Sequence, residues 1–140
     1  EKLKMKEGKE SVLEGVPRAL PSMVKAQRIQ EKARGAGFDW EKPEQVWEKV
    51  EEEFNEFQEA VSRKDQKEMS AELGDVLFAL INYARFHNLN PDEALERTNR
   101  KFISRFRYME EKVKESGKTL HELSLAQMDV FWNQAKTTEI

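Results

Sequence analysis

The chain has 140 residues, 36% of them charged, yet its net charge is only −3 and it contains no cysteine. That length fits one domain, or one protomer of an assembly whose core is shared between copies. Interspersed charges of both signs read as solvated helical faces, not as the basic footprint of a protein that binds nucleic-acid polymers, and the missing thiols exclude disulfides and thiolate metal sites, in keeping with a reducing, cytoplasmic setting.

Residues 1–16 are rich in Lys and Glu, lack the apolar stretch of a signal peptide and do not begin with Met. They read as a linker or flexible N-terminal segment ahead of a folded domain over 17–140, and the whole is compatible with a fragment of a longer chain. The longest apolar run, Val76 to Ile81, is far shorter than the roughly 20 residues that span a bilayer, so no membrane partner is expected.

No stretch alternates in the manner of a strand, whereas helical periodicity recurs, so the sequence predicts an all-α fold of four to five helices. The first helix starts after Pro21 with Ser22 as its N-cap, shows Met23, Ala26, Ile29 and Ala33 on one side, and stops at Gly35 and Gly37. A loop with Phe38, Asp39 and Trp40 follows. Pro43 then opens a second helix reaching about Arg63, with Val46, Val50, Phe54, Phe57 and Val61 as its core stripe.

The third helix, about Gln66 to His87, is apolar nearly all round, with Met69, Leu73, Val76, Leu77, Leu80 and Ala84 on its main face, which predicts the most buried helix. Asn90 caps a fourth helix that has Pro91 at its first position, runs to Gly117, and turns Leu95, Thr98, Phe102, Phe106, Met109 and Val113 inward. Ser124 and Gln127 form a capping box for a short last helix carrying Leu125, Met128, Trp132 and Ala135.

Each helical residue turns about 100°, so Glu53 and Glu56 lie about 60° and 120° from Val50 on one flank of the second helix, with Lys49 and Ala60 beside them. On the third helix Glu72 and Asp75 lie about 100° and 160° round from Leu73. Joined by a short polar loop, the two helices form an antiparallel hairpin in which these flanks face each other and four carboxylates converge. Such a cluster persists only with counter-charge or shared protons, and a divalent cation supplies the charge. An all-oxygen set without His or Cys favours Mg²⁺ or Mn²⁺ over zinc or copper. A di-iron bundle would need Glu-x-x-His, and neither His87 nor His121 follows a Glu at that distance. Glu51, Glu52 and Glu59 point away from the flank, as residues that serve solubility do.

On the fourth helix Lys101 and Arg105, at i and i+4 beside the core stripe, form a pair suited either to a phosphate or to neighbouring acids. Trp132 and Lys136 repeat the spacing, with an aromatic face that suits either the core or a stacked base.

In order, the segments RALPSMVKAQRIQEKARGAGFDW, KVEEEFNEFQEA, AELGDVLFALINYAR, NRKFISRFRYME and MDVFWNQAK resemble the MazG family of nucleoside triphosphate pyrophosphohydrolases, in particular the C-terminal domain of its two-domain bacterial members, from about Pro17 to Lys136. The resemblance implies Mg²⁺-dependent hydrolysis between the α- and β-phosphates of nucleoside triphosphates, to a monophosphate and pyrophosphate. It implies metal ligation by Glu53, Glu56, Glu72 and Asp75, which also makes them the catalytic set. Nucleotide contacts are implied from the Lys49–Glu53 segment, including Lys49 and Glu52, from Lys101 and Arg105, and from Trp132 and Lys136. A homodimer that completes the helical bundle is implied as well. Asn55 stands where the family often has an acid. The competing readings are an all-α nucleotide pyrophosphatase with a narrower substrate and a non-catalytic dimerisation or regulatory domain.

Overall fold

A computed structural model describes residues 11–138, and among these it contains five α-helices, one 3₁₀ turn and no strand. The helices are α1 (Ser22–Gly35), α2 (Pro43–Ser62), α3 (Gln66–Phe86), α4 (Pro91–Glu115) and α5 (Leu125–Thr138), with the 3₁₀ turn at Leu120–Glu122. The all-α expectation is met, and helix ends agree with the sequence reading to within the two residues by which ends fray. Residues 1–10 of the proposed 1–16 linker lie outside the described residues.

The helix starts follow from short-range chemistry. Pro43 occupies the first turn of α2, and the Gln45 carboxamide accepts hydrogen bonds from the backbone N–H groups of Glu41 and Lys42. Asp65 caps α3 by accepting from the Glu68 N–H at 3.2 Å, and Asn90 caps α4 by accepting from the Asp92 N–H at 3.0 Å. At α5 the capping box is complete, since Gln127 N–H donates to Ser124 Oγ at 3.2 Å and Ser124 N–H donates to Gln127 Oε1 at 2.8 Å. α1 departs from expectation, because Pro21 holds the cap position, Ser22 is already helical and no side chain caps the end. The Pro21 carbonyl instead accepts from Lys25 N–H at 2.9 Å.

Helices α1 to α4 share one kind of ending. In each, a residue with positive φ (Gly37, Lys64, Asn88, Gly117) follows the last turn, and the next N–H reaches back to the carbonyl of Ala33, Ala60, Ala84 or Val113. This is the Schellman arrangement, which satisfies carbonyls that would otherwise be left without partners. Glycine suits the left-handed position and Asn tolerates it, whereas Lys64 holds it at a steric cost.

The chain divides into two compact units, the first ending at Asp92 and the second beginning at Glu93. In the first, α2 lies along α3 and α1 also packs on α3. Val46 and Val50 are fully buried, each contributing about 1.5–3 kcal/mol of apolar transfer. The buried line of α2 runs Val46, Val50, Glu53 and Ala60. It is therefore rotated from the expected stripe, for Phe54 and Val61 stand exposed. α3 is likewise less enclosed than its composition suggests: Val76, Ala79 and Ile81 are buried while Leu73, Leu77, Phe78 and Leu80 are exposed.

In the second unit Met109, Val113 and Ala135 are buried, whereas Leu95 and Phe102, expected in the core, are exposed, as is Leu125. No helix among the described residues is long and apolar enough to cross a membrane.

Candidate active site

The hairpin of α2 and α3 brings Glu53, Glu56 and Glu72 together, with one carboxylate oxygen from each lying within 4.8 Å of the others. Glu53 is only 6% exposed because it continues the Val46–Val50 line of α2 into the packed face. An ionised carboxylate taken out of water costs several kcal/mol unless it is paired. Lys49, one turn earlier, supplies a partner at 2.9 Å and also reaches Glu52 at 3.5 Å. The hydrogen bond to Glu53 holds the Lys49 ammonium above its ordinary pKa, and burial opposes it.

Lys49 neutralises only one oxygen of the cluster. Glu53 Oε2 and Glu72 Oε2 are buried with no hydrogen-bond partner. Glu56 has its carboxyl pKa raised, first by the charge of Glu53 and a hydrogen bond to it, then by burial and by Glu72. Orphaned acceptors and mutual repulsion at one spot make a donor set that a cation would suit. The donor chemistry fits a hard cation, since all three groups offer carboxylate oxygens and neither His nor Cys is among them.

Asp75 is not part of that trio. It lies on an exposed part of α3. It nevertheless lines, with Glu53 and Lys49, a cleft of about 630 Å³ in the first unit. Among the other walls of this cleft are Gln30, Phe38, Trp40 and Asn82. The loop bearing Phe38 and Trp40 is fastened by Asp39, which accepts from both terminal nitrogens of Arg85 at 2.7 and 3.3 Å and lies 3.4 Å from Arg34 Nε. The Arg85 guanidinium is the main cause of the lowered Asp39 pKa. Sequence reasoning singled out neither Arg85 nor Gln30. Gln30 had a signal, since it falls four residues after Ala26 and seven after Met23, a polar side chain on the apolar stripe of α1.

The remaining expected contacts belong to the second unit. Arg105 sits with its guanidinium carbon 5.8 Å from the Trp132 ring centroid, and Trp132 tilts against Phe102 with centroids 5.0 Å apart. Arg105 and Trp132, from different helices, thus form a cation–aromatic pair. Lys101 and Lys136 are exposed, as is Glu52 in the first unit.

Residues 41–109, which include all four acids, match the MazG nucleotide pyrophosphohydrolase domain. The chain is 45% identical over 117 residues to the nucleoside triphosphate pyrophosphohydrolase/pyrophosphatase MazG of Thermotoga maritima, covering 84% of this chain and 45% of that protein. It is 37% identical over 132 residues to the nucleoside triphosphate pyrophosphohydrolase of Escherichia coli K12, covering 93% of this chain and 50% of that one. A 71-residue stretch is 55% identical to the Bacillus subtilis protein YabN, or 51% of this chain against 14% of YabN. The chain spans about half the length of the first two relatives. On its residues, its helical fold and these relatives, the chain belongs to the MazG family of nucleotide pyrophosphohydrolases.

Proposed function

We propose that this chain hydrolyses nucleoside triphosphates between the α- and β-phosphates, releasing a nucleoside monophosphate and pyrophosphate, and that it serves nucleotide-pool house-cleaning in the cytoplasm. The observation that carries the reading is the convergence of Glu53, Glu56 and Glu72, with two buried oxygens lacking partners, in a chain whose relatives bear the pyrophosphohydrolase name.

Glu53, Glu56 and Glu72 would hold Mg²⁺, or Mn²⁺ in its place, with Asp75 joining from the cleft wall. When bound, such an ion supplies positive charge to the phosphate oxygens and makes water a better nucleophile near neutral pH. The protein's own groups do the rest. A carboxylate of Glu53 or Glu56 takes the proton from the attacking water. Lys49 and Glu52 face the nucleotide beside the cluster, and Lys101, Arg105 and Lys136 stabilise phosphate charge as pyrophosphate departs. The exposed apolar side chains Phe54, Val61, Leu73 and Leu77 support pairing with a second copy of the chain.

The test is a nucleotide panel with product analysis, run with Mg²⁺ and Mn²⁺ on the wild type, Glu53→Gln and Asp75→Asn. Monophosphate and pyrophosphate from several triphosphates, lost in both variants, is the expected result. Turnover of a single nucleotide would point to a narrower pyrophosphatase. No pyrophosphate from any nucleotide would leave a regulatory or dimerisation domain, and metal-dependent activity untouched by both substitutions would overturn the site.

A further inference from the structure

Residues 11–20, ahead of α1, form a run of turns, and one of them reaches the cleft beside the acids. The Ser11 carbonyl accepts from Glu14 N–H at 3.3 Å, Ser11 Oγ accepts from Leu13 N–H at 3.1 Å, and the Leu13 carbonyl accepts from Val16 N–H at 3.0 Å. Bonds closed within a few residues set a turn and hold its shape wherever the turn as a whole is carried. The end nearer α1 is fastened differently. There Lys25 reaches out of the helix, and its Nζ donates to the Arg18 carbonyl at 2.6 Å.

The other end carries Leu13. Its side chain lines the same cleft as Lys49, Glu53 and Asp75, on a wall shared with Ile29 of α1 and Ala79 of α3. Leu13 is 39% exposed, so apolar surface on it is still open to water, and burying that surface is favourable once something fills the cleft. A turn that is closed on itself and anchored at Arg18 can pivot as one piece and bring Leu13 inward. The charges in the cleft gain from such a cover, because ionic attraction strengthens as water is displaced.

We propose that residues 11–16 are a strap belonging to this domain, not a linker leading to it, and that Leu13 closes onto the cleft when a phosphate-bearing ligand occupies it. Leu13 is then a positioning residue, which meets no reacting atom and acts by keeping the ligand enclosed. The inference rests on the proposed function for the phosphates of the ligand, though closure is measurable without turnover.

The chain has no cysteine, so a single introduced thiol reports on its own position. Leu13→Cys, with Ala19→Cys at an exposed place on the anchored side as control, is treated with the neutral reagent N-ethylmaleimide. The rates are compared with and without Mg²⁺ and α,β-methylene-ATP, whose α–β bridge resists hydrolysis, at a concentration that calorimetry shows to be saturating. Modification at position 13 should slow by about fivefold or more when the analogue binds, and modification at position 19 should not change. Without any thiol, Leu13→Ala should raise KM for the triphosphate by about fivefold with kcat nearly unchanged, and Leu13→Met should restore it.

The strap is overturned if the bound analogue leaves position 13 as reactive as before, makes it more reactive, or slows both thiols alike. It is equally overturned if Leu13→Ala lowers the melting temperature and leaves KM where it was. Protection at position 13 in a protein that releases no pyrophosphate would keep the strap and remove the proposed activity. Hydrolysis with position 13 unprotected would do the reverse, and an analogue that does not bind overturns both.

Discussion

In the first unit a carboxylate is buried and its lysine partner is built in one turn away, while in the second the cations stay toward the surface and Arg105 leans on an aromatic ring. Glu53 is held by packing as much as by charge, since it occupies a place on the buried line of α2 that an apolar residue would otherwise take. Lys101 and Lys136 have no such fixture and remain exposed. Under the proposed function this difference would separate two tasks: the packed acid would hold one geometry, and the exposed cations would follow a charge that moves during the reaction.

The largest expected effect tests the fixed side. Glu72→Gln should lower the rate of pyrophosphate release by more than about 100-fold, because it removes a carboxylate from the proposed ligand set. Steady-state kinetics with metal titrated from micromolar to millimolar checks it, and a loss below tenfold would break the contrast between the units. Lys101→Ala should cost about tenfold in kcat/KM, the scale of about 1.4 kcal/mol, with no change in the metal concentration for half-maximal rate.

Glu56→Gln sharpens the same comparison without catalysis. Removing the repulsion that raises the Glu56 pKa should increase the melting temperature of the metal-free protein and shrink the rise that Mg²⁺ brings. Calorimetric melts with and without Mg²⁺ give both numbers, and an unchanged Mg²⁺ increment would remove Glu56 from the ligand set.

A smaller effect concerns the loop clasp. Asp39→Asn should cost about 1–2 kcal/mol, less than a fully buried pair would, because the bridge is partly open to water. The Asp39 pKa is lowered in the folded state, so the stability it contributes is present above the ordinary carboxyl value of 3.8 and is lost as pH falls through the lowered value. Urea melts at pH 7 and in acid should therefore show the Asp39→Asn penalty shrinking below about pH 4. The smallest change should come at the α2 end, where Lys64→Gly relieves a left-handed residue and should stabilise by about 0.5–1 kcal/mol.

Much of the fold could be read because its signals are short-range. Pro43, Asn90 and the Ser124–Gln127 box act within four residues, and each is where the sequence put it. Ser22 was misplaced because proline and serine both suit the start of a helix, and only backbone geometry separates cap from first turn. Periodicity marked Phe54, Leu73 and Leu77 as apolar without saying what covers them, and in this chain they are exposed.

In the site, helical arithmetic found the Glu53, Glu56 and Glu72 convergence. It also turned Asp75 into the cluster, whereas the structure leaves Asp75 outside the trio, on the wall of the neighbouring cleft. Contacts such as Asp39 to Arg85, 46 residues apart, leave no local trace.

The Lys49–Glu53 bond bears on how the protein matures. A zinc finger stays unfolded until its metal arrives, because nothing else holds its ligands together. Here the lysine stands in as a resident counter-ion and the valines beside Glu53 pack without any ligand, so helix assembly should not wait on the supply of metal. Chelation should then silence the protein while its far-ultraviolet circular dichroism stays unchanged, and returning the ion should restore it within the time of mixing. Scarcity of metal would act on this chain as a reversible brake on turnover and would not create a population of unfolded protein to be cleared.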